Sequence, residues 1–454
     1  MKVFKLNPST IFYKKAMTIT AQIRQTALDL LNFIDASPSP WHAVQTVTQR
    51  LLAQGYTELQ ESERWSLTAS GRYFVVRGGA SVIAFHLGAS DVAKAGLRII
   101  GAHTDSPGLR LKTNAAQATD GLVRLGVEVY GGPILGTFTD RDLSLAGRVN
   151  VRTDNGFSSH LLKFDTPLVR LPNLAIHMNR DVNEQGLKLH KQNELPLIFA
   201  QAQDGLTARE QFLNHIACAL NVQASDILNY EFNVFDTQKG TFWGMDAEFI
   251  ANSQLDNLAS CHAALTALLA CEEAHTTNIC ALFDHEEVGS ESATGAAGSF
   301  AQDVINRIFT NLKLDEEARH CALAQSFFIS ADMAHAYHPN FPNAYEPQHK
   351  VMVNAGPVIK TNANQRYSTN ADTAARFMTL CATAGVPFQN YTHRTDLGCG
   401  STIGPILASQ LGVASVDVGC PMWAMHSLRE SAGVLDHSYM IAAMQVAYAS
   451  IDKV

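Results

Sequence analysis

Thiol chemistry is the first thing this sequence lacks. Its eight cysteines (218, 261, 271, 280, 321, 381, 399 and 420) are scattered, and no two form a CxxC pair. Most sit in apolar surroundings, as small core residues do. Structural disulfides and a thiolate metal site are therefore not expected, and a reducing cytoplasmic compartment suits the chain. It also lacks a basic tract: the formal net charge is −8 over 454 residues, which argues against nucleic acid as a partner. No run of ~18 or more apolar residues is present, so nothing reads as a membrane span. Met1 to Lys15 holds four lysines but no apolar core of the length a secretory signal needs. Residues 1–17 read as a leader, with Met17 an alternative start. No repeat of fixed period and no low-complexity tract is visible.

What is present is apolar. Hydrophobic residues make up 46% and charged residues 17%, the balance of a compact, well-buried protein. The length exceeds one ordinary core, so two domains are expected. Thr18 to about Gly55 reads as helix, broken by Ser37-Pro38-Ser39-Pro40 and reopened at Trp41. Tyr73–Arg77 and Ser81–His86 read as strands around a Gly78-Gly79 turn, and 97–102 is a buried strand. From 108 to about 245 the pattern changes to short strand-like pieces, among them Val127–Tyr130, Leu145–Val149 and Leu174–His177, with one clear helix at Thr207 to Leu220. After 246 apolar strands (279–283, 326–331, 413–418) alternate again with helices (258–274, 301–313, 371–384, 438–450). The implied fold is an α/β sandwich formed by 18–107 and 246–454, interrupted by a β-rich insertion at 108–245.

Ionisable residues gather where the apolar strands stop. Asp284-His285-Glu286-Glu287-Val288-Gly289-Ser290 follows Ile279–Phe283, and two adjacent carboxylates there are costly unless a positive charge lies beside them. A metal ion is the usual reason, with one Glu a ligand and its neighbour a general base. His103 and Asp105 follow the 97–102 strand, Asp332 follows 326–331, Asp256 stands at a helix start, and His426 lies in a loop after 413–418. Ligands of open α/β sheets bind at the carboxyl ends of strands. Histidines and carboxylates without Cys suit a catalytic zinc site, with manganese or cobalt as alternatives. In His103-Thr104-Asp105 the side chains two apart point the same way, so Asp105 can accept from the free imidazole N–H and orient His103.

The same residues carry a resemblance. Ser37-Pro38-Ser39-Pro40-Trp41-His42-Ala43-Val44, Ala102-His103-Thr104-Asp105-Ser106-Pro107, Leu255-Asp256-Asn257-Leu258, Asp284–Ser290, Ser330-Ala331-Asp332-Met333-Ala334-His335 and Met425-His426-Ser427-Leu428-Arg429-Glu430 resemble, in order, the aspartyl aminopeptidase family of metallopeptidases. The resemblance implies a three-layer αβα sandwich of the zinc-peptidase type with 108–245 as a dimerisation domain. It also implies two Zn2+ ions: Asp256 bridging, His103 and Asp332 on one ion, Glu287 and His426 on the other. Glu286 would be the general base and Asp105 the partner of His103, while His177 would reach a neighbouring subunit's site. Peptides with a free N-terminus would be the substrates, Asp or Glu the preferred first residue, and dimers would assemble into a homododecamer.

For an acidic side chain, Lys360-Thr361-Asn362-Ala363-Asn364-Gln365-Arg366-Tyr367 is the candidate binding segment, through Lys360, Arg366 and Tyr367; the resemblance implies a departure at Asn364, where eukaryotic members of the family carry lysine. His335, His338 and His349 fall in a Pro- and Asn-rich loop where exposure is expected, and His42 and His285 read as structural. Asp396–Pro405 is Gly-rich but lacks the P-loop lysine, and reads as a turn close to substrate ahead of a helix. Two other functions remain open at this point. One is a carboxypeptidase or deacylase of the same clan; the other is an inactive self-assembling shell protein.

Overall fold

The computed structural model describes residues 18–450; the leader and the alternative start at Met17 lie outside the described residues. Three sheets organise the described residues. The largest has nine strands, in the order Thr57–Glu58, Arg72–Arg77, Ser81–His86, Thr277–Phe283, Leu97–His103, Phe327–Ala331, Ala414–Gly419, Val358–Thr361 and Gln389–Thr392. Its four middle strands, from Thr277–Phe283 to Ala414–Gly419, run parallel.

Alternation along those strands shows why the sheet is covered on both faces. Ile100 and Ala102 join one apolar cluster, whereas Leu97 and Ile99 join another. In the next strand Cys280 and Leu282 face the first cluster, and Ile279, Ala281 and Phe283 the second. A strand with period-two side chains that is apolar throughout must be buried on both sides. Helices Ala21–Asp35, Leu255–Leu269, Ala371–Ala384 and Val434–Ala449 supply the first cluster. Phe300–Asn311 and Ile403–Leu411 supply the second.

Six further strands between Gly108 and Asp236 form a second sheet. It has its own core, in which Phe138, Leu145, Phe212 and Phe232 are buried with the helix Ala208–Leu220. Thr207 caps that helix in a reciprocal box with Glu210. The sheet's last strand ends at Asp236. Thr241–Trp243 and Phe249–Asn252, on either side of residue 245, pair with each other in a third sheet beside Glu430–Gly433. Leu174–His177, expected as a strand, is a loop with Leu174 and Ile176 exposed; among the described residues no strand pairs with it. Glu316–Gln325 forms a helix that periodicity did not reveal, because only Ala322 of it is buried.

Among the helices, Asp29 accepts from Arg50 at 2.8 and 2.9 Å and meets His262 Nε2 at 2.8 Å. His262 Nδ1 in turn meets His437 Nε2 at 2.9 Å. The His262 hydrogen bond and then Arg50 hold the Asp29 carboxyl below its usual 3.8, against its burial. Its contribution to stability is therefore full above about pH 5 and is lost as the pH falls through and below the unfolded value. Asp29→Asn is expected to cost about 1 kcal/mol near neutrality, since the carboxylate is half exposed and screened. Urea titrations should find this gap constant from pH 7 to about 5 and closing below about 4.

Candidate metal centre

Three adjacent parallel strands end together. Phe283 lies opposite His103 in the register, and Asp332 follows Ala331 on the next strand over. Beyond Phe283 the chain turns through His285, with φ 64°, into the short 3-10 turn Glu286–Val288. Asp256 stands at the start of Leu255–Leu269. His426, with φ 67°, follows the strand Pro421–Trp423.

These elements converge on the Asp256 carboxylate. His103 Nε2 lies 3.6 Å from Asp256 Oδ1 and 3.6 Å from Asp332 Oδ1. His426 Nε2 lies 3.4 Å from Asp256 Oδ2 and 3.5 Å from Glu287 Oε2. Glu286 stands slightly apart, its Oε2 3.9 Å from His103 Nε2. Zinc bonds of roughly 2.0–2.1 Å in a tetrahedron imply donor-to-donor edges of roughly 3.4 Å, close to the spacing of both sets. His103, Asp256 and Glu287 also lie within 4.8 Å of one another.

The electrostatics call for a cation. Asp256 Oδ1 is buried and has no hydrogen-bond partner among the described residues, which is costly for a charged oxygen. Burial, then Asp332, raises the Asp256 pKa; burial, then Asp256, raises Glu287 well above its ordinary value. Burial pushes Glu286 up to about 8, reinforced by Asp332, Asp105 and Asp256 against the pull of His103. Burial opposes a charge on His103, but Asp105 and Asp332 outweigh it and hold its pKa well above that of ordinary imidazole. Asp332 differs because Lys360 offsets its burial and keeps it ionised. Oxygen and imidazole donors without thiolate suit zinc, and divalent charge relieves the repulsion between the acids.

Asp105 takes up a wider position than its spacing suggested. His103 Nδ1 meets the Asp105 backbone carbonyl at 3.0 Å, and the carboxylate at 3.4 Å. The carboxylate instead accepts the amides of Glu286 and Glu287, both at 3.1 Å, and the Tyr130 hydroxyl at 2.6 Å. Glu430, fully buried, does the same on the other side: it accepts the amides of Asp256 at 3.0 Å and His426 at 2.7 Å. Neither Tyr130 nor Glu430 carries a sequence signal that marks it for this role.

A cleft of about 460 Å³ opens onto these groups, lined also by Lys360, Arg366, Tyr367, Met425 and the Gly400–Thr402 turn. Lys360 donates to Asp332 O (2.9 Å), Asp332 Oδ2 (3.3 Å) and Met333 O (3.2 Å), so it offers the cleft charge rather than a free donor. The Arg366 guanidinium is exposed and has no hydrogen-bond or ion-pair partner among the described residues. Tyr367 is buried, with Lys360 Nζ 5.1 Å from its ring centroid, and Asn364 is exposed. His335 lines the cleft too, contrary to the exposure expected of it. Burial, then Lys360, lowers its pKa to about 4, leaving a neutral ring; its spacing three residues beyond Asp332 was the available signal. His177 lies exposed on the loop after Leu171 and is not brought to the cleft.

Fold and donor set together describe a zinc metallohydrolase. Residues 33–448 match the model of the aminopeptidase I zinc metalloprotease family, M18. A "Probable M18 family aminopeptidase 2" of Ectopseudomonas mendocina is 45% identical over 423 residues, covering 93% of this chain and 97% of that protein. A chain of the cryo-EM structure of the Ape4 and Nbr1 complex superposes with a TM-score of 0.91 at 36% identity, covering 95% of this chain and 87% of that one. The S. cerevesiae mApe1 dodecamer gives 0.82 at 26% identity, with 94% and 96% covered. This chain belongs to the M18 family and is a zinc metallo-aminopeptidase.

Proposed function

We propose that this aminopeptidase releases N-terminal residues, with Asp or Glu preferred, from peptides with a free N-terminus at a centre for two zinc ions. The observation that carries this reading is the Asp256 carboxylate, whose two oxygens face separate donor sets. His103 and Asp332 would hold one ion, Glu287 and His426 the other, and Asp256 both; manganese or cobalt suits the same donors. When bound, the ions supply an acidified water and polarise the scissile carbonyl.

The chain's own residues do the rest. Glu286 takes the proton of the attacking water and returns it to the leaving amine. Its raised proton affinity suits both directions of transfer near neutral pH. Asp105 holds the Glu286 and Glu287 amides and fixes the His103 tautomer, leaving Nε2 for metal. Lys360 and Arg366 give the cleft a positive wall for an acidic side chain, with Tyr367 beneath. The nine-stranded sheet with helices on both faces is read as a three-layer αβα sandwich. The 108–245 segment is read as the dimerisation domain of a homododecamer, supported by the mApe1 dodecamer among its structural relatives. There, His177 of the partner subunit would approach the oxygen of the scissile carbonyl.

The test compares an Asp-initiated peptide, a Leu-initiated peptide and the N-acetylated Asp peptide. Release from the free Asp peptide is expected to exceed release from the Leu peptide at least tenfold in kcat/KM. The acetylated peptide should be inert. Equal cleavage of free and acetylated peptides would replace the aminopeptidase reading with a deacylase one.

A further inference from the structure

The turn that follows the strand Leu122–Tyr130 belongs to the β-rich unit, yet it touches both halves of the metal centre. Tyr130 donates its hydroxyl to Asp105 Oδ2 at 2.6 Å. Its ring is buried and covered by the Arg110 guanidinium, 3.5 Å from the centroid. One residue on, Gly131 has φ 64°, and a Cβ there would lie 3.2 Å from both Cβ and O of Glu287. Gly132 O lies 3.1 Å from His426 Nδ1, and the Ile134 amide donates to His426 O at 2.9 Å.

The loop that carries His426 is in turn seated on the β-rich unit. The Leu428 amide donates to Thr137 Oγ1 at 2.9 Å, and the Leu428 side chain is part of that unit's core. The Arg429 guanidinium donates to Gln238 O and Lys239 O at 3.0 and 2.8 Å. A carbonyl at Nδ1 fixes the imidazole tautomer with Nε2 free, and Nε2 is the atom that faces Asp256 and Glu287. Tyr130 acts at the other end, where Asp105 carries the Glu286 and Glu287 amides.

We propose that the Tyr130–Ile134 turn is a positioning element of the catalytic centre, Tyr130 acting through Asp105 and Gly132 through His426. The β-rich unit then holds the reaction site in register within a single subunit, in addition to any part it plays in assembly. This rests on the two-ion reading above.

The experiment compares wild type, Tyr130→Phe and Tyr230→Phe as intact oligomers. Tyr230 is the control: its hydroxyl donates to Thr113 O at 2.9 Å within the same sheet and does not reach the cleft. Zinc affinity is read by chelator competition and coordination by the visible spectrum of the cobalt-loaded proteins, alongside kcat and KM. Tyr130→Phe is expected to weaken zinc binding and lower kcat by about 10- to 100-fold, with KM within about twofold, a changed cobalt spectrum and the same oligomer. Tyr230→Phe should match wild type in all four. Unchanged zinc affinity and kcat in Tyr130→Phe would overturn the proposal, as would equal losses in Tyr230→Phe. A wild type that takes up no metal would instead overturn the two-ion reading.

Discussion

Glu286→Gln is expected to keep its zinc and lose turnover by about 10³-fold or more, a barrier increase of about 4 kcal/mol. The reason is geometric. Glu286 stands 3.9 Å from His103 Nε2, outside the tighter contacts that surround Asp256, so removing its charge takes no donor from either set. The amide that Asp105 holds belongs to the backbone and survives the substitution. Glutamine has the same shape but cannot accept and return a proton. KM should change little, because the change falls on the reacting atoms and not on the cleft wall. Metal analysis beside steady-state kinetics separates the outcomes. Full turnover with both ions in place would remove Glu286 as the base, and loss of zinc would make it a ligand.

The sequence made these residues findable because each apolar strand stops abruptly at an ionisable group. Phe283 gives way to Asp284, Ala331 to Asp332, and Ala102 to His103. Parallel strands buried on both faces put all such ends on one edge, so adjacency in space could be inferred for residues far apart in the chain. The helix Ala371–Ala384 and the start of Ala208–Leu220 follow from local capping and periodicity in the same way. What stayed hidden depends on approach between distant segments. Tyr130 ends an ordinary strand of another sheet, and nothing around it announces that its hydroxyl meets Asp105. Glu430 lies within the His426 motif, but a carboxylate that gathers two backbone amides leaves no spacing signature. The Pro- and Asn-rich neighbours of His335 suggest solvent, whereas the short strand Ala334–His335 pairs beside Pro421–Trp423 and places it at the cleft. Leu174–His177 shows the opposite: apolar residues without a partner strand look the same in sequence as those with one.

Asp256→Asn should reverse its effect on stability with the metal content of the solution. The backbone here is anchored without the carboxylate: the amide donates to Glu430, and the carbonyl accepts from Ser106 Oγ at 2.6 Å. Asparagine can therefore occupy the position. In chelator, Asp256 is a buried acid whose charge is disfavoured by burial and by Asp332. Replacing it removes repulsion, so the metal-free variant should melt no lower than metal-free wild type. With zinc in excess the order inverts. Wild type gains about 2.7 kcal/mol per site at 100 times the dissociation constant, a gain that a variant lacking the shared carboxylate forfeits at both sites. Activity should fall to background, because His103 and His426 would no longer face a common anion. Thermal melts of both proteins, with chelator and with zinc, give four midpoints. A variant that melts below wild type by the same margin in both solutions would mean that Asp256 serves the fold and not the metal. A variant that holds one ion firmly would assign the carboxylate to a single site and end its role as the bridge.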